Sequence, residues 1–227
     1  MMIPANVDLG KEQEAALSRP PRKYGLMASL VFRGMDTFYG KELSWGKIRL
    51  LEILARIPYQ AWEIRQYKKM NSRFTDPDAV AFAEDVVGWS REAQDSEFWH
   101  LRVVDEKIKQ DNVQLHWFKD RVMPSITAFK YSIFSRILAF ISIRTAFMLN
   151  ADFEDHAEHE YMTFAKEHPE LDEQPAMSEV ITRYRGDLKT WGDVMRFIGL
   201  EERDHMNNSL RRLGRVSEIV PIMGDDR

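Results

Sequence analysis

Hydrophobic residues recur along most of the chain at the spacing of an α-helix, and no segment shows the strict apolar–polar alternation of a strand. The few glycines and prolines stand mostly between these stretches. The pattern therefore predicts an all-α protein. Asp76 and Pro77 predict a sharp helix start, as an N-cap residue followed by proline at the first helical position. In the first half, helices are predicted from Tyr24 to Tyr39, from about Gly46 to Asn71 with a kink at Pro58, and from Pro77 to about Gln110.

The second half contains one long apolar segment, from Pro124 to Asn150, which leads into an acidic helix from about Ala151 to Glu167. A short helix is predicted to begin at Pro175, and the last long helix is predicted from about Leu188 to Leu213. We expect a flexible N-terminal arm at residues 1–23, one helical domain at residues 24–214 and a C-terminal tail at residues 215–227. A chain of 227 residues is long enough to bury a sizeable core as one domain.

Composition narrows the chemistry that such a protein can host. The chain contains no cysteine, so disulfides and thiolate metal sites are excluded, and any metal must bind histidine and carboxylate. A net charge of −4 and the lack of a long basic block give no reason to expect nucleic acid as a partner. The first 24 residues have neither the apolar region of a signal peptide nor the Arg- and Ser-rich pattern of a transit peptide. A cytoplasmic or cytoplasmic-face location is therefore expected.

Two segments with the spacing Glu-x-x-His are the candidates for metal chemistry. They are Glu97-Phe-Trp-His100 and Glu202-Arg-Asp-His205. Residues i and i+3 project from the same face of a helix, so the two side chains of each pair can bind one metal ion together. The motif alone is weak, because such pairs also arise by chance among solvated helix residues.

Two further glutamates complete the ligand order of a di-iron helical bundle, which needs one Glu from each of two other helices. Glu52 lies in the apolar run IRLLEILARI, where an ionised carboxylate is costly unless it is paired or metal-bound. Glu154 follows a second apolar stretch, in AFMLNADFEDH. Carboxylates with two imidazoles suit iron or manganese better than structural zinc. The sequence therefore predicts a ferritin-like four-helix bundle that holds two iron ions through Glu52, Glu97, His100, Glu154, Glu202 and His205.

The residues around Glu154 leave alternatives open. Glu158 lies one helical turn beyond it and is the main rival for its ligand position. His156 and His159 belong to the same acidic patch, and either is a candidate for a hydrogen bond to a ligand. His116 stands at a predicted helix end, where a solvent-facing position is expected.

Four segments of the chain resemble the alternative oxidases, a family of membrane-bound di-iron quinol oxidases. LLEILARIPYQAWEIRQY is similar to the family's first ligand helix, and EAQDSEFWHL is similar to its Glu-x-x-His segment. FEDHAEHEY resembles the signature Leu-Glu-Glu-Glu-Ala-x-His-x-Tyr, and LKTWGDVMRFIGLEERDH resembles the last ligand helix. The likeness covers about residues 25–210.

This resemblance implies an activity and a set of partners. It implies a non-proton-pumping quinol:oxygen oxidoreductase that reduces O₂ to water at two irons with electrons from ubiquinol. Glu154, Glu202 and His205 stand in ligand positions of the family, and Tyr161 matches a tyrosine near the irons, which implies a catalytic role. The resemblance also implies a homodimer and a divergent bacterial member of the family.

The chain departs from the family's pattern at several positions. The triple acidic run is reduced to Glu154-Asp155-His156, and EERDH at residues 201–205 replaces the usual Asp-Glu-Ala-His-His. Lys47 stands in the place of an arginine associated with quinol, and Phe147 in the place of a histidine. The metal site therefore transfers from the family better than the quinol pocket does.

The apolar segment from Pro124 to Asn150 also raises the question of a membrane. It is long enough to span a bilayer but contains Lys130, Arg136 and Arg144. An arginine at the bilayer centre costs about 2.5–3.5 kcal/mol, which disfavours spanning. Basic residues on an apolar helix instead predict a helix in the membrane interface, and the helix from Tyr24 to Tyr39 is expected to share that surface. Together with the resemblance, this predicts a monotopic protein on the cytoplasmic face of the bacterial inner membrane.

Other functions are compatible with the same residues. A di-iron quinone or lipid hydroxylase, such as demethoxyubiquinone hydroxylase, shares the ligand order. A ferritin-like iron-binding protein shares the fold but should be soluble, without an interfacial surface. A membrane-associated helical scaffold would bind no metal, and the two apolar helices could instead be buried in a soluble bundle or a dimer interface.

Overall fold

A computed structural model describes residues 3 and 7–223, and α-helices account for most of them. No β-strand occurs among these residues, so the prediction of an all-α protein is confirmed. Short helical turns lie at Trp117–Val122, which is a π-helix, and at Pro169–Asp172 and Val216–Glu218, which are 3₁₀-helices. The α-helices are α1 (Leu9–Ser18), α2 (Leu26–Tyr39), α3 (Trp45–Ser72), α4 (Pro77–Gln110), α5 (Met123–Ile141), α6 (Ile143–Glu167), α7 (Glu179–Arg185) and α8 (Trp191–Leu213).

The chain divides into two compact units, and each is described by itself. The central unit is Ser44–Ala146, and the terminal unit combines Met1–Leu43 with Phe147–Arg227. In the central unit, α3 packs along α4 and α5. The ion pair between Glu63 and Arg91 and the 3.5 Å contact between Glu52 and His100 show that α3 and α4 run antiparallel.

The helix starts in the central unit follow from local sequence. Ser44 caps α3 by accepting a hydrogen bond from a backbone N–H of the first turn. Asp76 caps α4 through the N–H of Ala79, with Pro77 at the first helical position, so the predicted start of this helix is confirmed. Pro58 lies inside α3 as expected.

In the terminal unit, α8 packs against α1 and the two 3₁₀ turns. It begins with a capping box, in which Thr190 and Asp193 each accept a hydrogen bond from the other's backbone N–H. Gly199 allows α6 to approach α8 closely, because a Cβ at this position would lie 3.1 Å from Cε of Met162. Around this contact, a buried apolar cluster joins both termini to α6 and α8: Ile3, Ala16, Met162, Phe197, Leu200 and Ile222.

The N-terminal segment differs from the flexible arm that we predicted over residues 1–23. Residues 9–18 form α1, with Glu12 and Ala16 fully buried. The carboxylate of Glu12 accepts hydrogen bonds from Arg203 and from the N–H of Met223, so an acidic residue that looks solvated in the sequence is satisfied inside the protein. In the predicted tail, Ile222 is buried. Residues 1, 2 and 4–6 of the predicted arm and 224–227 of the tail lie outside the described residues.

Two helix boundaries also differ from prediction. The apolar segment at residues 124–150 is not one helix, because the chain leaves the helical conformation at Ser142. The Ser142 hydroxyl oxygen accepts a hydrogen bond from the N–H of Thr145 at 3.2 Å, which caps the start of α6. α7 begins after Ser178 rather than at Pro175, since Pro175 pairs with Thr190 in an isolated bridge.

Candidate metal centre

Three predicted ligands meet in the central unit. Glu52 on α3 and Glu97 and His100 on α4 form a group that we call the central triad. Each offers a ligand atom, and these atoms lie within 4.8 Å of one another. Nδ1 of His100 is 3.5 Å from Oε2 of Glu52 and 3.4 Å from Oε2 of Glu97, while Nε2 faces the Ser96 hydroxyl oxygen at 3.5 Å. The Glu-x-x-His pair of α4 is therefore directed at the carboxylate from α3.

The other three predicted ligands meet in the terminal unit. Glu154 on α6 and Glu202 and His205 on α8 form the terminal triad, and their ligand atoms also lie within 4.8 Å of one another. Nδ1 of His205 is 3.3 Å from Oε2 of Glu202. In both triads the Nδ1 atom faces carboxylate oxygen, so Nδ1 is the imidazole atom placed to share a metal with them.

Asn150 positions the carboxylate of Glu154 in the terminal triad, a role that we did not predict. Its side-chain N–H donates to Oε1 of Glu154 at 2.9 Å and to the hydroxyl of Ser209 on α8 at 3.2 Å. Asn150 precedes Glu154 by one helical turn, so a hydrogen-bonding side chain at i−4 was the signal available. The amide fixes the carboxylate without adding charge.

The burial and chemistry of the six side chains fit a metal ion. None of them is more than 4% exposed. Each triad brings two carboxylates and one imidazole together in a space where an uncompensated charge is costly. A cation shared by the facing atoms removes the repulsion between the carboxylates. Nitrogen and oxygen donors without sulfur are those that iron and manganese accept. Buried Glu and His side chains are thus placed closely enough, within each unit, to hold a metal ion.

Glu158, the rival ligand on α6, is neutralised by arginines. Its side chain is fully buried. Nε and Nη2 of Arg203 both lie 2.8 Å from Oε1 of Glu158, and Nη2 of Arg19 lies 2.9 Å from Oε2. Both carboxylate oxygens of Glu158 are therefore engaged in ion pairs. The assignment of Glu154 rather than Glu158 as the ligand stays a prediction.

The two histidines of the acidic patch make contacts that the sequence did not indicate. Nδ1 of His159 lies 2.7 Å from the backbone oxygen of Asp155, and Nε2 lies 3.0 Å from the backbone oxygen of Arg19. The imidazole of His156 stacks on the ring of Phe32, with centroids 4.0 Å apart. His159 therefore ties the N-terminal segment to α6, and His156 packs against α2.

Arg203 is a buried residue that sequence reasoning missed. It stands between the predicted ligands Glu202 and His205 along α8 and is only 1% exposed. Its guanidinium pairs with Glu158 of α6 and with Glu12 of α1. Burial would lower the pKa of Arg203, but the two carboxylates outweigh burial and raise it, so the residue stays cationic. One side chain thus joins three helices beside the terminal triad.

The segment after α1 supplies further partners for the acidic patch. Nη1 of Arg19 lies 2.6 Å from Oδ1 of Asp155, and the hydroxyl of Tyr24 donates to Oδ2 at 2.9 Å. Burial, followed by the charge of Asp155, raises the pKa of Tyr24, which keeps the phenol protonated. Nε of Arg22 lies 3.6 Å from Oδ1 of Asp152. The predicted arm is therefore the source of the cations that neutralise this face of α6.

Tyr161, the predicted catalytic residue, is buried on α6 two turns beyond Glu154. It packs against α8 at Gly199, where a Cβ would lie 3.3 Å from Cβ of Tyr161. This contact places the ring in the helix-packed interior of the terminal unit. Its catalytic role stays a prediction.

Each unit also carries a helical segment with many exposed apolar side chains. In the terminal unit these lie on α2: Leu26, Met27, Leu30, Val31 and Phe38. In the central unit they lie on the π-helical turn and α5: Trp117, Phe118, Ile126, Phe129, Ile133, Phe134, Ile137, Phe140 and Ile141. Large exposed apolar faces mark interaction surfaces. In the described part of the chain, no helix combines the length and the hydropathy needed to cross a membrane.

A scan of the chain against known protein families finds no match, and a search of curated proteins finds none either. The resemblance to the alternative oxidases therefore stays a prediction, carried by the four sequence segments quoted for it.

Proposed function

We propose that the protein is a di-iron quinol:oxygen oxidoreductase of the alternative oxidase type, which reduces O₂ to water with electrons from ubiquinol. The observation that carries this proposal is the pair of buried triads, each with two glutamates and one histidine. Together the triads contain all six predicted ligands, and these ligands follow the order Glu, Glu-x-x-His, Glu, Glu-x-x-His along the chain. That ligand order is the one that di-iron bundle proteins use.

The proposal assigns one ligand helix to each part of this order. They are α3, α4, α6 and α8, which would be the four helices of a ferritin-like bundle. Two triads of this composition supply four carboxylates and two imidazoles, enough to hold two iron ions. Bound iron would supply the one-electron steps between quinol and O₂.

The chain's own residues would prepare the site for this chemistry. The Ser96 hydroxyl, facing Nε2 of His100, leaves Nδ1 directed at the carboxylates. Asn150 holds the carboxylate of Glu154 on the other triad. The near-complete burial of all six ligands excludes bulk water. We assign to the Tyr161 phenol the donation of one electron and one proton during the reduction of O₂.

The exposed face of α5 supports the placement at a membrane surface. Lys130 and Arg136 are exposed on the same helix as the apolar side chains. This combination suits a helix that lies in the interface, with cations at the lipid phosphates and apolar side chains at the acyl region. We therefore propose monotopic binding to the cytoplasmic face of the bacterial inner membrane, as a homodimer.

Iron analysis and oxygen uptake on one purified sample test the function. We expect about two irons per chain, a Mössbauer spectrum of a coupled pair, and oxygen consumption driven by ubiquinol. Glu97→Ala and His205→Ala should each lose most of the iron, while His168→Ala, outside both triads, should keep it. Full iron in both triad variants would show that the ligand assignment is wrong.

Isotope-labelled O₂ separates the oxidase from the leading alternative. An oxidase should place the label in water, and a hydroxylase should place it in the quinone ring. Label in the ring would replace our proposal with the hydroxylase, and iron uptake without quinol-driven oxygen consumption would favour iron binding alone.

A further inference from the structure

A basic cleft in the central unit is not part of either triad. It has a volume of about 600 Å³ and lies between the C-terminal end of α4, the connection after it and the start of α5. Charged residues in its lining are Arg49, Asp105, Lys109 and Arg121, and the lining also includes Pro124 and Ser125 of α5.

The charges of this cleft are unbalanced. Arg49 is neutralised by Asp105, whose Oδ1 lies 2.6 Å from its Nε, and its Nη1 also donates to the backbone oxygen of Asp120 at 3.3 Å. Lys109 and Arg121 are exposed, and neither has an ion-pair partner among the residues that the structure describes. Two uncompensated cations therefore border a cleft whose one carboxylate, Asp105, is already paired with Arg49. This arrangement is suited to an anion.

Exposed aromatic side chains stand close in the chain to residues that line the cleft. Trp117 and Phe118, 68% and 48% exposed, lie on the π-helical turn that ends beside Arg121. Phe129, 69% exposed, follows Ser125 by one helical turn and therefore continues the same face of α5 away from the cleft. Aromatic side chains next to lysine and arginine are typical of the level of lipid headgroups. An anionic group that is attached to an apolar chain would fit such a site.

We propose that this cleft binds the phosphate headgroup of an anionic phospholipid, with the acyl chains along the exposed face of α5. The inference rests on the proposed placement at a membrane surface and adds a specific lipid class to it. Basic pockets at the membrane surface bind phospholipid headgroups in this manner. The bound lipid would fix which side of the central unit faces the leaflet.

Vesicle sedimentation with the full-length iron-loaded protein is the first arm of the test. We compare phosphatidylcholine vesicles with vesicles of phosphatidylcholine and phosphatidylglycerol. The wild type should prefer the anionic vesicles, and Lys109→Gln and Arg121→Gln should each reduce that preference about fivefold. Arg121→Lys should retain it. Lys68→Gln and Arg102→Gln remove the same charge from exposed positions of α3 and α4 outside the cleft and outside α5, and they are the matched controls.

Short-chain phosphatidylglycerol, used below its micelle concentration, is the second arm and tests the cleft without a membrane. Calorimetry should show saturable binding to the wild type and to Arg102→Gln but not to Arg121→Gln. Equal binding of inorganic phosphate would overturn the lipid assignment. An equal loss of vesicle preference in the control variants would show that general surface charge, and not the cleft, causes the preference. If the short-chain lipid binds but no vesicle retains the protein, the proposed membrane location fails while the cleft stands. If vesicles of both kinds retain it equally and the short-chain lipid does not bind, only the cleft fails.

Discussion

Replacing Arg203 with methionine would remove the cation that joins α1, α6 and α8 beside the terminal triad. Methionine keeps an unbranched apolar side chain of comparable length, so packing should change little. The carboxylates of Glu12 and Glu158 would stay buried with fewer partners, since Glu158 keeps Arg19 and Glu12 keeps the N–H of Met223. The substitution therefore removes a positive charge from a buried network and changes little else.

The magnitude follows from the burial of the network. Arg203, Glu12 and Glu158 are each no more than 1% exposed at the side chain. Removing one partner of a buried ion pair costs about 3–5 kcal/mol, because an uncompensated charge remains. Because Glu158 keeps Arg19 and Glu12 keeps the N–H of Met223, we expect the loss of unfolding free energy to lie near the lower end of this range, at about 3 kcal/mol. At about 2–4 °C per kcal/mol for a chain of this size, the melting temperature should fall by about 6–12 °C.

Urea unfolding of the metal-free protein, followed by far-UV circular dichroism, measures this loss without a contribution from metal binding. Arg211→Met is the matched control, since Arg211 is exposed on the same helix, and it should change stability by less than about 0.5 kcal/mol. The double variant Arg203→Met/Glu12→Gln should recover much of the loss, because it also removes a buried charge. An Arg203→Met protein as stable as the control would refute the network's contribution.

Three further predictions concern the triads and the surface of the terminal unit. Tyr161→Phe should keep iron content and helicity while lowering quinol-driven oxygen uptake at least about tenfold, if the phenol takes part in the chemistry as we propose; normal turnover would leave Tyr161 as a core residue. Asn150→Ala should weaken iron binding about 10–100-fold with little change in helicity, measured by chelator competition, because it frees the Glu154 carboxylate from its amide partner. Hydrogen bonds from Arg196 lower the pKa of Asp172 from its usual 3.8, so this pair stabilises the fold above about pH 4 and the stabilisation is lost as the carboxylate protonates at lower pH. Asp172→Asn should therefore be less stable than wild type in urea at neutral pH, by under about 1 kcal/mol for this partly exposed pair, and the difference should vanish in acid.

The sequence predicted those features that depend on near neighbours in the chain. A helix start needs only Asp76, Pro77 and the N–H groups of the next turn, and the observed helix begins there. The two Glu-x-x-His pairs depend only on helical spacing. Within each pair, the Glu and His side chains project from one helix face, and their ligand atoms lie close together. The break at Ser142 was also local, because a serine three residues before Thr145 can cap a helix. We missed it because the apolar run continues on both sides.

The features that escaped prediction depend on partners far apart in the chain. Glu12 and Arg203 are separated by 191 residues, and nothing near either one indicates that it is buried. Charged residues in a short N-terminal segment are ordinarily solvated, which is why residues 1–23 were expected to be flexible. The helix α1 is ordered because it contributes Ala16 to the core and Glu12 to a buried ion pair.

The carboxylates of the acidic patch on α6 differ in their partners, and this difference bears on our proposal that only Glu154 of the patch binds metal. Asp155 is neutralised by Arg19 and Glu158 by Arg19 and Arg203 together. Glu154 accepts a hydrogen bond from the neutral amide of Asn150, and in our proposal it binds the metal of the terminal triad. A patch without these arginines would offer several competing carboxylates to the metal. Under this proposal, the N-terminal segment would contribute to the choice of ligand through Arg19, although it contains none of the six predicted ligands.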